Sequence, residues 1–163
     1  MNLTFPGANG AARILGASAV AVSCPVDTTE DILATINIPA GAMGLNGILR
    51  VQHAWTVTNS ANNKILRVRL GGIGGTQMAS ATLTTVATAF AVTHIANRGA
   101  ANSQVSPPNA SSTFLGFTAG SSSALQTASI DTSAATTLVL TGAKASAGET
   151  LTLESYLVEL ILP

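Results

Sequence analysis

The stretch ILRVQHAWTVTNSANNKILRVRLGG, residues 48–72, decides the fold class. Over residues 48–58 Leu49, Val51, His53, Trp55 and Val57 share one face of an extended chain, while Arg50, Gln52, Thr56 and Thr58 share the other. Alternation with a period of two is the mark of a half-buried β-strand. KILRVRLGG repeats it, with Leu66, Val68 and Leu70 on one face and Ile65, Arg67 and Arg69 on the other. Between the two runs lies NSANN, made of turn-forming residues, so the pair is expected to form an antiparallel hairpin. That register gathers Arg50, Arg67 and Arg69 into one positive patch on a sheet surface, where unpaired like charges repel across strands. Glu154 and Glu159 near the C-terminus, or Glu30 and Asp31 near the N-terminus, are the available partners, within a protomer or across an interface.

The same reading extends outward. TTLVLTG (136–142) and TLTLESYLVELIL (150–162) flank the Gly-containing connection AKASAGE and predict a second hairpin. ARILGASAVAVSC (12–24) and TTEDILATINIPAG (28–41) are two further strand candidates, the second closed by Pro39, which cannot donate to a ladder. Residues 76–99 carry alanines that suit a helix, but their Thr and Val content and the alternating Phe90, Val92 and His94 predict two strands. ANSQVSPPNASSTFLGFTAGSSS (101–123) reads as a long loop, of a length uncommon unless it binds something. Short strands with turn signals between them and no amphipathic helix predict an all-β fold. The expected form is a single-domain β-sandwich of jelly-roll type with about eight antiparallel strands, spanning 1–163 with a short N-terminal arm over about 1–11. An up-and-down barrel or an immunoglobulin-like sandwich fits the same pattern.

Composition narrows the function. Seven Lys and Arg balance seven Asp and Glu, and only 9% of the 163 residues are charged. Phosphate binding needs a clustered positive excess, which this chain lacks, so no nucleic-acid partner is expected. A near-neutral surface of Ala, Ser, Thr, Asn and Gly is poor for a free monomer and suits a chain packed against other subunits. Mean hydropathy is +0.43, yet no stretch approaches the ~18 apolar residues of a membrane helix, and neither a secretion signal nor an anchor is read at the N-terminus. The lone Cys24 has no partner for an internal disulfide and reads as a small buried side chain.

Chemistry-bearing motifs are thin. His53 falls on the inward face beside Trp55, and His94 stands in a separate strand. No strand-to-helix nucleophile elbow accompanies them, and two isolated histidines without clustered Cys or carboxylates do not make a metal site. GGIGGTQ (71–77) lacks the helix start that lets a glycine loop cradle phosphate, so its glycines read as a sharp bend. Glu154 and Glu159 are five apart, which places them on opposite faces of a regular strand and disqualifies them as a glycosidase pair. No catalytic residue, metal ligand or cofactor is therefore assigned, and the expectation is a protein that is not an enzyme.

INIPAGAMGLNGILRVQHAWTVTNSANNKILRVRLGG (36–72) and the later IDTSAATTLVLTGAKASAGETLTLESYLVEL (130–160) resemble a family of small tailed-bacteriophage virion proteins and modules. The resemblance rests on the combination of Ile-Pro, Leu-Asn-Gly, a Trp strand, an Asn-rich turn and Arg-x-Arg-x-Gly-Gly. It implies a jelly-roll or β-sandwich domain of the kind found in capsid decoration (cement) proteins, head fibres and tail fibres, and it implies no catalytic residues. The chain has no heptad run or internal repeat with which to build a fibre shaft. The expected role is thus a decoration protein that binds and stabilises the outer surface of the head. Its partners would be the major capsid protein and itself as a homo-oligomer, dimer or trimer, located in the virion after assembly in the host bacterial cytoplasm. The interface candidates are Arg50, Arg67, Arg69, Glu154 and Glu159. The alternative is a receptor- or carbohydrate-binding module of a head or tail fibre, using the 101–123 loop and Phe114, Phe117 or Tyr156, although only 4% of residues are aromatic.

Overall fold

The computed structural model describes residues 12–107 and 125–163, whose regular secondary structure is strand throughout. They are β1 (Ala12–Ser18), β2 (Val22–Ser23), β3 (Asp31–Ile38), β4 (Ile48–Val57), β5 (Lys64–Leu70), β6 (Thr76–Leu83), β7 (Thr88–Asn97), β8 (Gln104–Ser106), β9 (Gln126–Ala128), β10 (Thr136–Lys144) and β11 (Leu151–Ile161). The eight long strands match the expected number, and β2, β8 and β9 are short additions of two or three residues. Among the described residues no helix is long and apolar enough to cross a membrane. The expected N-terminal arm over 1–11 and residues 108–123 of the expected loop lie outside the described residues, whereas Gln104–Ser106, expected in that loop, form β8 because they pair with β7 and β9.

Two antiparallel sheets make a β-sandwich. The larger runs β1-β11-β4-β7-β8-β9, with β2 also on β11, and the smaller runs β3-β10-β5-β6. The long strands pair in a nested way: first with last (β1–β11), second with second-last (β3–β10), β4 with β7, and β5 with β6.

Both expected hairpins are absent. β4 pairs β11 and β7, whereas β5 pairs β10 and β6, so residues 58–63 cross from one sheet to the other. β10 and β11 likewise lie in opposite sheets. A polar turn carries the same local signals whether it closes a hairpin or arches between sheets, and the partner is chosen by long-range burial. The two arches lie side by side: Thr58 N–H donates to Thr150 O (3.0 Å) and Ala145 N–H to Asn63 O (2.9 Å).

The core lies between the sheets, where the period-two reading holds. Leu49, Val51, Trp55 and Val57 of β4 meet Leu66, Val68 and Leu70 of β5, with Leu138, Leu140, Leu151, Leu153, Val158 and Leu160 completing the layer, and all are buried. The glycine bend between β5 and β6 is present. Gly71 and Gly72 adopt φ of 92° and 80°, and a Cβ on Gly75 would stand 2.1 Å from Leu70 O. Only glycine tolerates that turn without strain.

The end of the sandwich away from the arches is closed by a buried polar knot. Asn97 Nδ2 donates to Gly44 O (2.7 Å) and Thr132 Oγ1 (2.9 Å), and Gln104 Nε2 donates to Asn97 Oδ1 (2.8 Å) and Ala101 O (2.9 Å). Gln104 Oε1 accepts from Ile130 N–H (3.0 Å), so the amides of this buried pair are satisfied and the loops are fixed in place.

Candidate interaction faces

Because β4 and β5 belong to different sheets, the three arginines do not form one patch. Arg50 stands on the outer face of the larger sheet and Arg67 and Arg69 on that of the smaller one. Each group finds a carboxylate within the protomer. Arg50 donates from Nε (2.7 Å) and Nη2 to Glu159 Oε2, its direct cross-strand neighbour. Arg69 grips Glu30 with both prongs, Nε to Oε1 at 2.7 Å and Nη2 to Oε2 at 2.8 Å. Arg67 places Nη1 3.1 Å from Glu30 Oε2, an ion pair without hydrogen-bond alignment, and donates from Nε to Gln77 Oε1 (3.0 Å). Thr141 Oγ1 also donates to Glu30. The Arg69 fork, with help from the Thr141 hydroxyl and the charge of Arg67, holds the Glu30 carboxyl below its ordinary pKa against the opposing effect of burial.

Glu154 and Glu159 share the outer face of the larger sheet, contrary to the expected opposite faces. The register of β11 on β4 slips between Leu153 and Ser155, and this β-bulge inverts the alternation beyond it. Glu154 accepts from Thr56 Oγ1. With one residue taken up by the bulge the two carboxylates stand roughly 13 Å apart along the strand, too far to flank one glycosidic bond.

Three adjacent rungs lie at the centre of this face. The first is Ile14–Glu159–Arg50–His94, the second Ala17–Leu157–Gln52–Val92, and the third Ser155–Ala54–Phe90. Phe90 is 66% exposed, Ile14 62% and Val92 38%, so the alternating run Phe90, Val92, His94 faces outward. The sequence displayed that run without showing which face the sandwich buries. Tyr156, expected as an exposed aromatic, is instead half-buried against the core opposite His53. Phe114 and Phe117 lie outside the described residues.

The two histidines are separated by the sheet. His53 is buried and accepts a 2.5 Å hydrogen bond at Nδ1 from Trp55 Nε1–H, while its Nε2 has no partner. Burial pulls its pKa down to about 4, so at neutral pH the ring is uncharged. His94 is exposed beside Arg50 on the outer face. Among the described residues no three or more His, Cys, Asp or Glu gather where they could hold a metal ion. A shallow depression of about 230 Å³ at the end of β3 is lined by Asn37, Ile38, Pro39, Ala135, Thr136 and Thr137, none of them charged.

No family model matches the chain, and no curated protein matches it. Among solved structures it is similar to a chain of "Structure of infectious bursal disease virus Gx strain", at 12% identity and a TM-score of 0.27, over 94% of this chain and 40% of that one.

Proposed function

We propose that this protein is a non-enzymatic bacteriophage virion structural protein, a decoration (cement) protein that binds the outer surface of the head and stabilises it. The reading starts from the resemblance of residues 36–72 and 130–160 to tailed-phage virion modules. Nested strand pairing supports it, since that is the wrapping expected of a jelly roll, and we read the sandwich as that type.

The observation that carries the reading is the neutralisation of the arginines. Arg50, Arg67 and Arg69 are taken up by Glu159 and Glu30 inside the protomer, leaving sheet faces with little uncompensated charge. Such faces bind by area and shape, and a protein that prefers the assembled lattice stabilises it by mass action. Particles lacking the protein are expected to release their genome at lower temperature and under milder osmotic shock than complete ones. Equal stability of the two would overturn cementing.

A receptor- or carbohydrate-binding role has one observation in its favour, the exposed ring of Phe90. Saturable binding of the purified chain to host cells or glycans, lost in Phe90→Ala, would select that role instead.

A further inference from the structure

We propose that the outer face of β1, β11, β4 and β7 is the contact between two copies of this chain, related by a two-fold axis running along the strands between β4 and β11. The proposal deepens the virion reading and rests on it for its biological purpose.

Charge order along the first rung points to a second copy. Reading across the strands, the rung is Ile14, Glu159, Arg50, His94. An axis between β4 and β11 reverses that order in the partner, which sets each Arg50 over the partner's Glu159 and each Glu159 over the partner's Arg50. Two ion pairs become a four-membered alternating cluster, and no like charges meet in that rung. The second rung then lays Val92 over the partner's Ala17 and Leu157 over the partner's Gln52. An axis across the strands would instead bring Glu159 onto the stretch of the partner's β11 that carries Glu154, which is repulsive. The charge pattern therefore selects one symmetry as well as one partner.

Size and composition agree with this. Four strands ~4.8 Å apart and about ten residues long at ~3.3 Å per residue make a face of roughly 600 Å² before side-chain relief is counted. That is of the order of the ~800 Å² each partner gives to a standard interface. Of the exposed large apolar side chains, Ile14, Val92 and Phe90 lie on it. Arg50 is already paired to Glu159, so much of the cost of covering these charges is met within the protomer. Aligned packing of twisted sheets at ~30° keeps the central rungs in contact and splays the corners.

Sedimentation equilibrium of the purified chain tests this, and the expected result is the mass of two chains. Phe90→Asp and, separately, Val92→Asp are expected to return the mass to one chain with unchanged circular dichroism, since both side chains point to solvent in the protomer. Arg50→Glu is expected to weaken the dimer by placing like charges both within and between copies, and Arg50→Glu with Glu159→Arg to restore it. A wild-type chain that stays monomeric up to its solubility limit overturns the proposal, as does a trimer or a dimer indifferent to the three single substitutions. Pull-down on heads of the virus that encodes the chain separates the two readings. A monomeric wild type that still coats heads sinks only the dimer, whereas a dimer that fails to bind heads sinks only the decoration role.

Discussion

Lys64 and Lys144 stand directly opposite each other across β5 and β10, and both are buried. Two like charges in that position survive because each is taken up by a different set of loop atoms. Lys144 Nζ donates to the carbonyls of Pro25 (2.7 Å), Glu149 (3.0 Å) and Ala147 (3.3 Å), which uses its three protons. Lys64 Nζ donates to Ser60 O (3.2 Å) and Ser60 Oγ (3.0 Å) and lies 3.9 Å from Glu149 Oε2. Glu149 in turn accepts from Ser60 Oγ and from Asn62 Nδ2 (3.0 Å), and these hydrogen bonds lower its pKa. The two lysines thus tie both inter-sheet arches and the segment after β2 into one closed end.

Lys144→Met keeps the aliphatic stem and removes the ammonium, stranding three carbonyls. A loss of about 3 kcal/mol is expected, the scale of hydrogen bonds to a charged group plus the cost of unpaired acceptors. Denaturant unfolding measures it, and a change below about 0.5 kcal/mol, the range of ordinary surface substitutions, would refute the clamp.

Glu30→Gln is expected to cost about 1–2 kcal/mol at neutral pH, more than the ~0–1 kcal/mol of an exposed pair, because the fork is mostly shielded and two arginines lose one counter-charge. The folded carboxyl has a lowered pKa, so its contribution is complete above the ordinary Glu value near 4.3 and disappears as pH falls through the lower folded value. Thermal unfolding curves of wild type and variant should therefore start to converge as pH falls below the ordinary Glu value and meet only below the lowered folded one.

His53 acts in a different pH window. Its folded pKa of about 4 lies below the ~6.5 of the unfolded chain, so the unfolded state binds the proton first. Stability is full above about pH 6.5 and falls toward pH 4 with a slope of up to ~1.4 kcal/mol per pH unit. Protonation also places a hydrogen on Nδ1, where the Trp55 indole already donates. His53→Gln should flatten the slope in that window, followed by Trp55 fluorescence; an unchanged slope would assign it elsewhere.

A methyl group on Gly142 would meet Leu151 Cδ2 at 2.7 Å and Cys24 Sγ at 2.8 Å. Gly142→Ala is expected to cost about 1–3 kcal/mol by overpacking. The thiol it touches is buried, and burial together with the charge of Asp31 pushes its pKa to about 11. Native protein should resist alkylation at neutral pH and react only on unfolding. Rapid modification of the folded chain would contradict the packing described.

The sequence by itself determined the eight long strands and the inward faces of β4 and β5. Leu49, Val51, His53, Trp55 and Val57, and equally Leu66, Val68 and Leu70, point where the alternation places them, because each pleat decides locally which side chains share a face. It also marked Pro39 as a strand end and the glycines after Leu70 as a bend. Tertiary structure alone decided which strands pair. The segments after β4 and β10 read as hairpin turns, yet they arch between sheets, since a short polar loop permits both and burial of two apolar faces against each other selects the arch. The bulge at Leu153–Ser155 likewise brought Glu154 and Glu159 to one face, an irregularity that no period-two count contains. Charge partners followed from pairing: Arg50 met Glu159, 109 residues away, because the nested wrap made β4 and β11 neighbours. The intervening chain carries no local trace of that contact.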